Sequence, residues 1–226
     1  MEGSNAMGEA RAQRKRTTGS RRPQGRGERT RARLLAVAEE LFAEHGYAGT
    51  SLDAIAAKAG MHKPGICYYF PRKRALYEAV IREVLDSLEE HAIGALSSPG
   101  SSRERLLRSI ETWVDALAAR PTAARLILHE AANPDPNHVP QAFQGPGART
   151  YLLIEKAFHE LLPDAHPDDA FHFQSTIAGA TLFFAAGMPR LHSGRPELAV
   201  RHSMESHKTM LMRTARALLR ELRPAG

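Results

Sequence analysis

Residues 46–77 read GYAGTSLDAIAAKAGMHKPGICYYFPRKRALY, and the order of helix formers and breakers in this stretch decides the architecture. From Ser51 to Ala59 the apolar residues Leu52, Ile55, Ala56 and Ala59 fall on one helical face. Thr50 and Asp53 stand in the Thr-x-x-Asp arrangement that caps a helix N-terminus, so a helix is predicted to start there. Gly60 turns the chain. Pro64 suits only a first helical turn, because it has no N–H to donate. A second short helix is therefore predicted from about Lys63 to Tyr69, ended by Pro71 behind Phe70. Two short helices across a glycine turn have the spacing of a helix-turn-helix, the unit that lays its second helix in a DNA major groove.

Working outward, a helix from near Glu28 to Gly46 carries Leu34, Leu35, Ala38, Leu41 and Phe42 as one stripe, and Gly46 supplies its left-handed stop. Lys73 to Leu96 is one long periodic segment through Leu76, Val80, Val84, Leu85 and Leu88. After the Ser97–Ser102 loop, helices are predicted at Arg105–Arg120 and from Pro121 to about Ala132. Asn133–Gly147 holds four prolines and reads as a long irregular loop. Further helices are predicted at about Ala148–Leu162, Pro167–Gly187 and Pro196–Leu222. Neither a useful strand alternation nor an internal repeat is visible. The chain reads as all-α with nine helices: a three-helix unit at 28–72 and a larger helical bundle at 73–226.

Charge is concentrated at one end. The 226 residues carry a net +6, yet residues 1–33 alone hold ten Lys+Arg against three acids. That end contributes +7, and the remainder −1. Residues 1–27 read as a disordered basic arm whose natural partner is a polyanion. MEGSNA at 1–6 reads as a cloning remnant ahead of Met7. No run approaches the ~18 apolar residues that span a bilayer, and no secretory signal precedes the first helix. A single cysteine, Cys67, excludes an internal disulfide and is expected to be a small packing residue. These features predict a soluble, cytoplasmic protein without a membrane partner.

From about Glu28 to Tyr77 the sequence resembles the TetR family of transcriptional regulators. The resemblance rests on Gly46-Tyr47, Thr50-Ser51, Ile55-Ala56, Ala59-Gly60, Tyr68-Tyr69-Phe70, Lys73 and Leu76, all at the family spacing. Two positions depart from it: His62 stands where a capping serine is common, and Cys67 where the first tyrosine of the aromatic cluster is common. The resemblance implies a homodimer on double-stranded DNA at a near-palindromic operator. It further implies a repressor, released when an unknown small-molecule effector binds the C-terminal bundle. It also implies a phosphate contact from Lys73 and one from the hydroxyl of Thr50 or Ser51. Beside it, the residues have their own reading. Lys63, Pro64 and Gly65 open the second helix, where free N–H groups favour an anion. Lys63 can reach a phosphate or a guanine edge, Gly65 permits close backbone approach, and Tyr68 and Tyr69 carry hydroxyls suited to phosphates.

In the bundle, Trp113, Phe171 and Phe183 are candidates to line a pocket between helices, with His129 and its neighbour Glu130 to orient a polar group. Phe184, Val200, Met204, His207 and Leu211 are candidates for a dimer face, beside the small residues Ala178, Gly179 and Ala180. His129-Glu130-Ala131-Ala132-Asn133 lacks the second histidine of a zinc-protease motif, and His202 and His207 are five apart, off a common helix face. No nucleophile elbow, phosphate loop or dinucleotide fingerprint occurs, so neither a metal, a cofactor nor an enzymatic activity is expected. Two competing readings are a low-specificity DNA-binding or activator protein dominated by the arm, and an all-α metal-binding or enzymatic bundle.

Overall fold

The computed structural model describes residues 24–133 and 144–222; the expected basic arm up to residue 23 and the proline-rich stretch 134–143 lie outside them. The described residues form ten α-helices and no strand. The N-terminal part holds α1 (Gln24–Gly49), α2 (Leu52–Ala59), α3 (Lys63–Tyr69) and the long α4 (Lys73–Leu96). The bundle continues with α5 (Ser102–Ala119), α6 (Pro121–Ala131), α7 (Gly145–Leu161), α8 (Asp169–Leu191), α9 (Pro196–Arg201) and α10 (Met204–Glu221).

α1 begins four residues before the expected Glu28, with Thr30 donating to the Arg26 carbonyl across its first turns. It breaks at Gly46, whose φ of 69° belongs to the left-handed region that glycine tolerates. The cap of α2 is Ser51 rather than Thr50: the Ser51 hydroxyl accepts from the Ala54 N–H at 3.0 Å. α5 starts at Ser102, ahead of the expected Arg105, because Ser101 and Glu104 form a reciprocal capping box. The expected single helix from Pro196 to Leu222 is two. Ser203 is extended between α9 and α10 and caps the second with its hydroxyl, which makes ten helices instead of nine.

The interior explains how the two ends communicate. Leu34, Phe42, Ile55 and Ile66 bury the three-helix unit. The same cluster runs on without a break through Leu76 and Val80 of α4 to Leu126 of α6. A second cluster joins α5, α7, α8 and α10 around Leu106, Phe158, Phe173, Ile177, Ala215 and Leu219. α4 belongs to the first core, and further along it passes beside the second.

Candidate nucleic-acid interface

α3 is held by one side and presents the other. Ile66 is wholly buried and Phe70 nearly so, which pins the helix against α1 and α2. Lys63, Pro64, Cys67 and Tyr68 face outward, and Tyr68 is 84% exposed. An aromatic ring so exposed loses apolar burial unless a partner covers it. Tyr69 is half-buried against the core, its ring edge-on to Tyr68 at 5.2 Å. Cys67 is exposed, not the packing residue expected, since it shares the face of Lys63 and Pro64. Gly65 is half-buried, and an added Cβ would stand 3.3 Å from the Met61 side chain.

Lys63 donates to Asp53 of α2 at 2.9 Å, and that hydrogen bond raises the Lys63 pKa above the ordinary lysine value. Both side chains are exposed, so the pair is weak and can be exchanged for a phosphate. Lys73 donates to the carbonyls of Tyr47 and Thr50 at 2.9 and 3.0 Å and sits over the Tyr47 ring. It clasps the α1–α2 turn to α4, which leaves one of its three donors for an outside partner.

Thr50 differs from the expectation. It is 3% exposed, and its hydroxyl lies 3.1 and 2.8 Å from the Leu41 and Gly46 carbonyls near the end of α1, sharing its one proton between them. It braces the turn from inside and does not face a phosphate. Ser51, its exposed neighbour, keeps its O–H for donation. Two further cations brace the unit: Arg33 donates to the Ala59 carbonyl at 2.8 Å, and the Arg31 guanidinium lies over the Phe70 ring.

A polar joint ties this unit to the bundle. Glu39 of α1 is nearly buried, and Arg120, between α5 and α6, donates to both its oxygens from Nε and Nη2. Thr122 donates to the same carboxylate at 2.6 Å. The Glu39 hydrogen bond raises the Arg120 pKa further. A second joint lies deeper: Tyr77 of α4 bonds to Glu130 of α6, and burial, then that bond, pushes the phenol pKa up.

Within the bundle a cavity of about 80 Å³ opens between α4, α5, α7 and α8. Trp113 lines it, as expected, with Leu88, His91, Ile110, Phe173 and Gln174 among its walls. Three expected pocket residues do not. His129 lies beside Gly46, where its ring would be 3.7 Å from an added Cβ. Phe171 and Phe183 are 47% and 58% exposed. Helical rotation explains this: Phe173 and Ile177 of α8 face inward, and at ~100° per residue positions 171 and 183 turn to the far side.

The expected dimer residues also divide. Phe184 stacks on His207 at 4.1 Å, Leu211 is buried and Met204 packs on the core, so these serve the protomer's own interior. Burial lowers the His207 pKa. Val200 belongs to α9, with its side chain outside the described set. The outward face of α8 and α10 instead carries Phe183, Met210 and the small Gly179 and Ala180.

Comparison with known proteins agrees with this geometry. The family pattern of bacterial regulatory proteins of the tetR family matches residues 34–80, which span α2, α3 and parts of α1 and α4. The transcriptional regulator SCO4942 of Streptomyces coelicolor superposes with a TM-score of 0.62 at 25% identity, over 84% of this chain and 97% of that one. Residues 34–80 belong to the TetR family. Among relatives, the transcriptional activator FasR of Mycolicibacterium smegmatis is 34% identical over 118 residues, 49% of this chain. The match takes in 54% of FasR, so the chain aligns with about half the length of this relative. AibR, solved with isovaleryl coenzyme A and operator DNA, shares the fold with a TM-score of 0.58 at 23% identity, over 69% of this chain and 85% of its own. In this chain the family's N-terminal helix-turn-helix and C-terminal helical domain are α1–α3 and α5–α10, with α4 running between them.

Proposed function

We propose that the protein is a homodimeric, site-specific DNA-binding regulator of the cytoplasm, a repressor released from a near-palindromic operator by a small molecule. The observation that carries the reading is α3: a short helix pinned by Ile66 whose face offers Lys63 and Tyr68, both exposed among the described residues. Lys63, Pro64, Gly65 and Tyr68 would meet the major groove, with Ser51, Tyr69 and the remaining donor of Lys73 on phosphates. Phosphate contacts set the register, and base contacts set the sequence. The exposed α8–α10 face is the proposed dimer surface, pairing two helices from each protomer in a four-helix contact.

Release follows from shared parts. α4 carries Lys73 at one end and the cavity walls Leu88 and His91 about four and five turns along. α1 is coupled to α6 through Glu39, Arg120 and Thr122. A ligand that widens the cavity displaces α4 and α5, and through Lys73 and the Arg120 joint the two recognition helices. It shifts the population only as far as it prefers the displaced state.

Transcription in vitro from a promoter bearing the bound site tests the proposal. The protein should lower transcript yield, and Tyr68→Ala should abolish the effect while the helical melt is unchanged. A rise in yield would make the protein an activator, as FasR is named. Unchanged yield with full occupancy of the site would remove the regulatory reading.

A further inference from the structure

The cavity between α4, α5, α7 and α8 has an unusual polar inventory. Its walls are mostly Leu, Ile, Ala and Phe, and none of its described lining residues is Asp, Glu, Lys or Arg. His91, its one titratable wall residue, is exposed and already donates Nδ1 to the Ser87 carbonyl at 2.6 Å. Ser109 donates its hydroxyl to the Leu106 carbonyl. Arg149, next in sequence to the wall residue Thr150, is engaged at Nε and Nη2 by Glu89, at 2.5 and 2.7 Å. An ion entering this space would lose its water and find no opposite charge, a cost that apolar contact does not offset.

Two wall residues carry buried polar atoms without a protein partner: Nε1 of Trp113, a donor only, and Oε1 of Gln174, an acceptor. Buried polar atoms are nearly always hydrogen-bonded, so an unpaired donor and an unpaired acceptor in one small cavity call for a partner. We infer that the effector is an uncharged, mainly apolar molecule bearing one hydroxyl- or amide-type group, which accepts from Trp113 and donates to Gln174. This rests on the reading of the protein as a ligand-released regulator. It sets the chain apart from AibR, whose ligand, isovaleryl coenzyme A, carries phosphates that no cation in this cavity would meet.

Trp113 is the sole tryptophan, so emission excited selectively from tryptophan, beyond the absorption of the five tyrosines, reports on the cavity. The full-length protein is titrated with benzyl alcohol, toluene, benzoate, benzylammonium and isovaleryl coenzyme A, reading Trp113 emission and, separately, calorimetric heat. Benzyl alcohol is expected to bind roughly tenfold more tightly than toluene, the combined factor of two modest hydrogen bonds, with the ions weaker still. Gln174→Leu should reduce the preference over toluene to what the Trp113 bond alone supports, and Gln174→Glu should turn it toward benzylammonium. Equal or tighter binding of benzoate, benzylammonium or the coenzyme A ester to the unaltered protein would overturn the assignment, as would the absence of binding by benzyl alcohol. Operator affinity is measured with the alcohol bound. If the alcohol binds with the expected preference but leaves DNA affinity unchanged, the ligand class stands and the release mechanism fails.

Discussion

Replacing Arg120 with methionine removes one member of the joint between α1 and the α5–α6 corner and leaves the Glu39 carboxylate with only Thr122. Breaking a buried ion pair costs about 3–5 kcal/mol, because the surviving charge stays desolvated. The Glu39 side chain is 9% exposed but that of Arg120 is 32% exposed, so solvent screens part of the penalty. The loss should be about 2–3 kcal/mol, which for a chain of this size lowers Tm by roughly 5–10 °C. Glu39→Gln in the Arg120→Met background removes the stranded charge and should recover most of the loss. The assay is a double-mutant cycle on thermal melts at one fixed protein concentration, which holds any oligomer equilibrium constant. A coupling below about 0.5 kcal/mol, no larger than the additivity error, would refute the argument that this pair is a desolvated joint. If the pair also transmits the switch, the double variant should bind operator yet respond less to effector.

Three further outcomes follow from the same geometry. Asp53→Asn frees Lys63 from its ion pair and should tighten operator binding, whereas Lys63→Ala should weaken it about tenfold if it reads a base; equal affinities by fluorescence anisotropy would remove Lys63 from the interface. Thr50→Val deletes the donor that closes the Leu41 and Gly46 carbonyls and should cost about 1–3 kcal/mol in a urea melt, and a neutral result would mean that the turn is held by Lys73 alone. Because burial lowers the His207 pKa, its unfolded form takes up a proton first as pH falls through the ordinary histidine range near 6.5. The contribution from neutral His207 is therefore complete above that range and lost progressively below it. His207→Phe should remove this part of the acid-side decline in Tm between pH 7 and 5, and an unchanged slope would assign the decline to other groups.

The helices nearest the DNA-binding turn were legible because glycine and proline punctuate them. Pro64, Pro71 and Gly60 bound α3 and α4 at Lys63–Tyr69 and Lys73–Leu96, where local chemistry alone decides. Thr50 and Ser51 were not separable in sequence. Both suit a cap, and what distinguishes them is that the Thr50 hydroxyl turns inward onto the Leu41 and Gly46 carbonyls, a tertiary fact. Ser203 interrupts the last helix by the same chemistry of capping hydroxyls, inside a pattern that is otherwise continuous. Aromatic residues on α8 misled for a different reason. Hydrophobicity marks a helix as half-buried but does not say whether Phe173 or Phe183 turns toward the protomer's own core. The Glu39–Arg120 joint spans 81 residues of sequence and carries no local signal. Its only trace is an acid placed beside the apolar stripe of α1.

The central claim is that α3 reads a particular sequence from two symmetry-related copies. Selection of bound DNA from a randomised pool, at near-physiological salt, tests this most directly. The account predicts a two-fold-symmetric motif whose half-sites lie about one helical turn, ~10 bp, or a multiple of it apart, and whose recovery is lost with Tyr68→Ala. A pool that yields no motif, with binding that collapses steeply as salt rises, would contradict it and leave the basic N-terminal arm as the source of the protein's attraction to DNA.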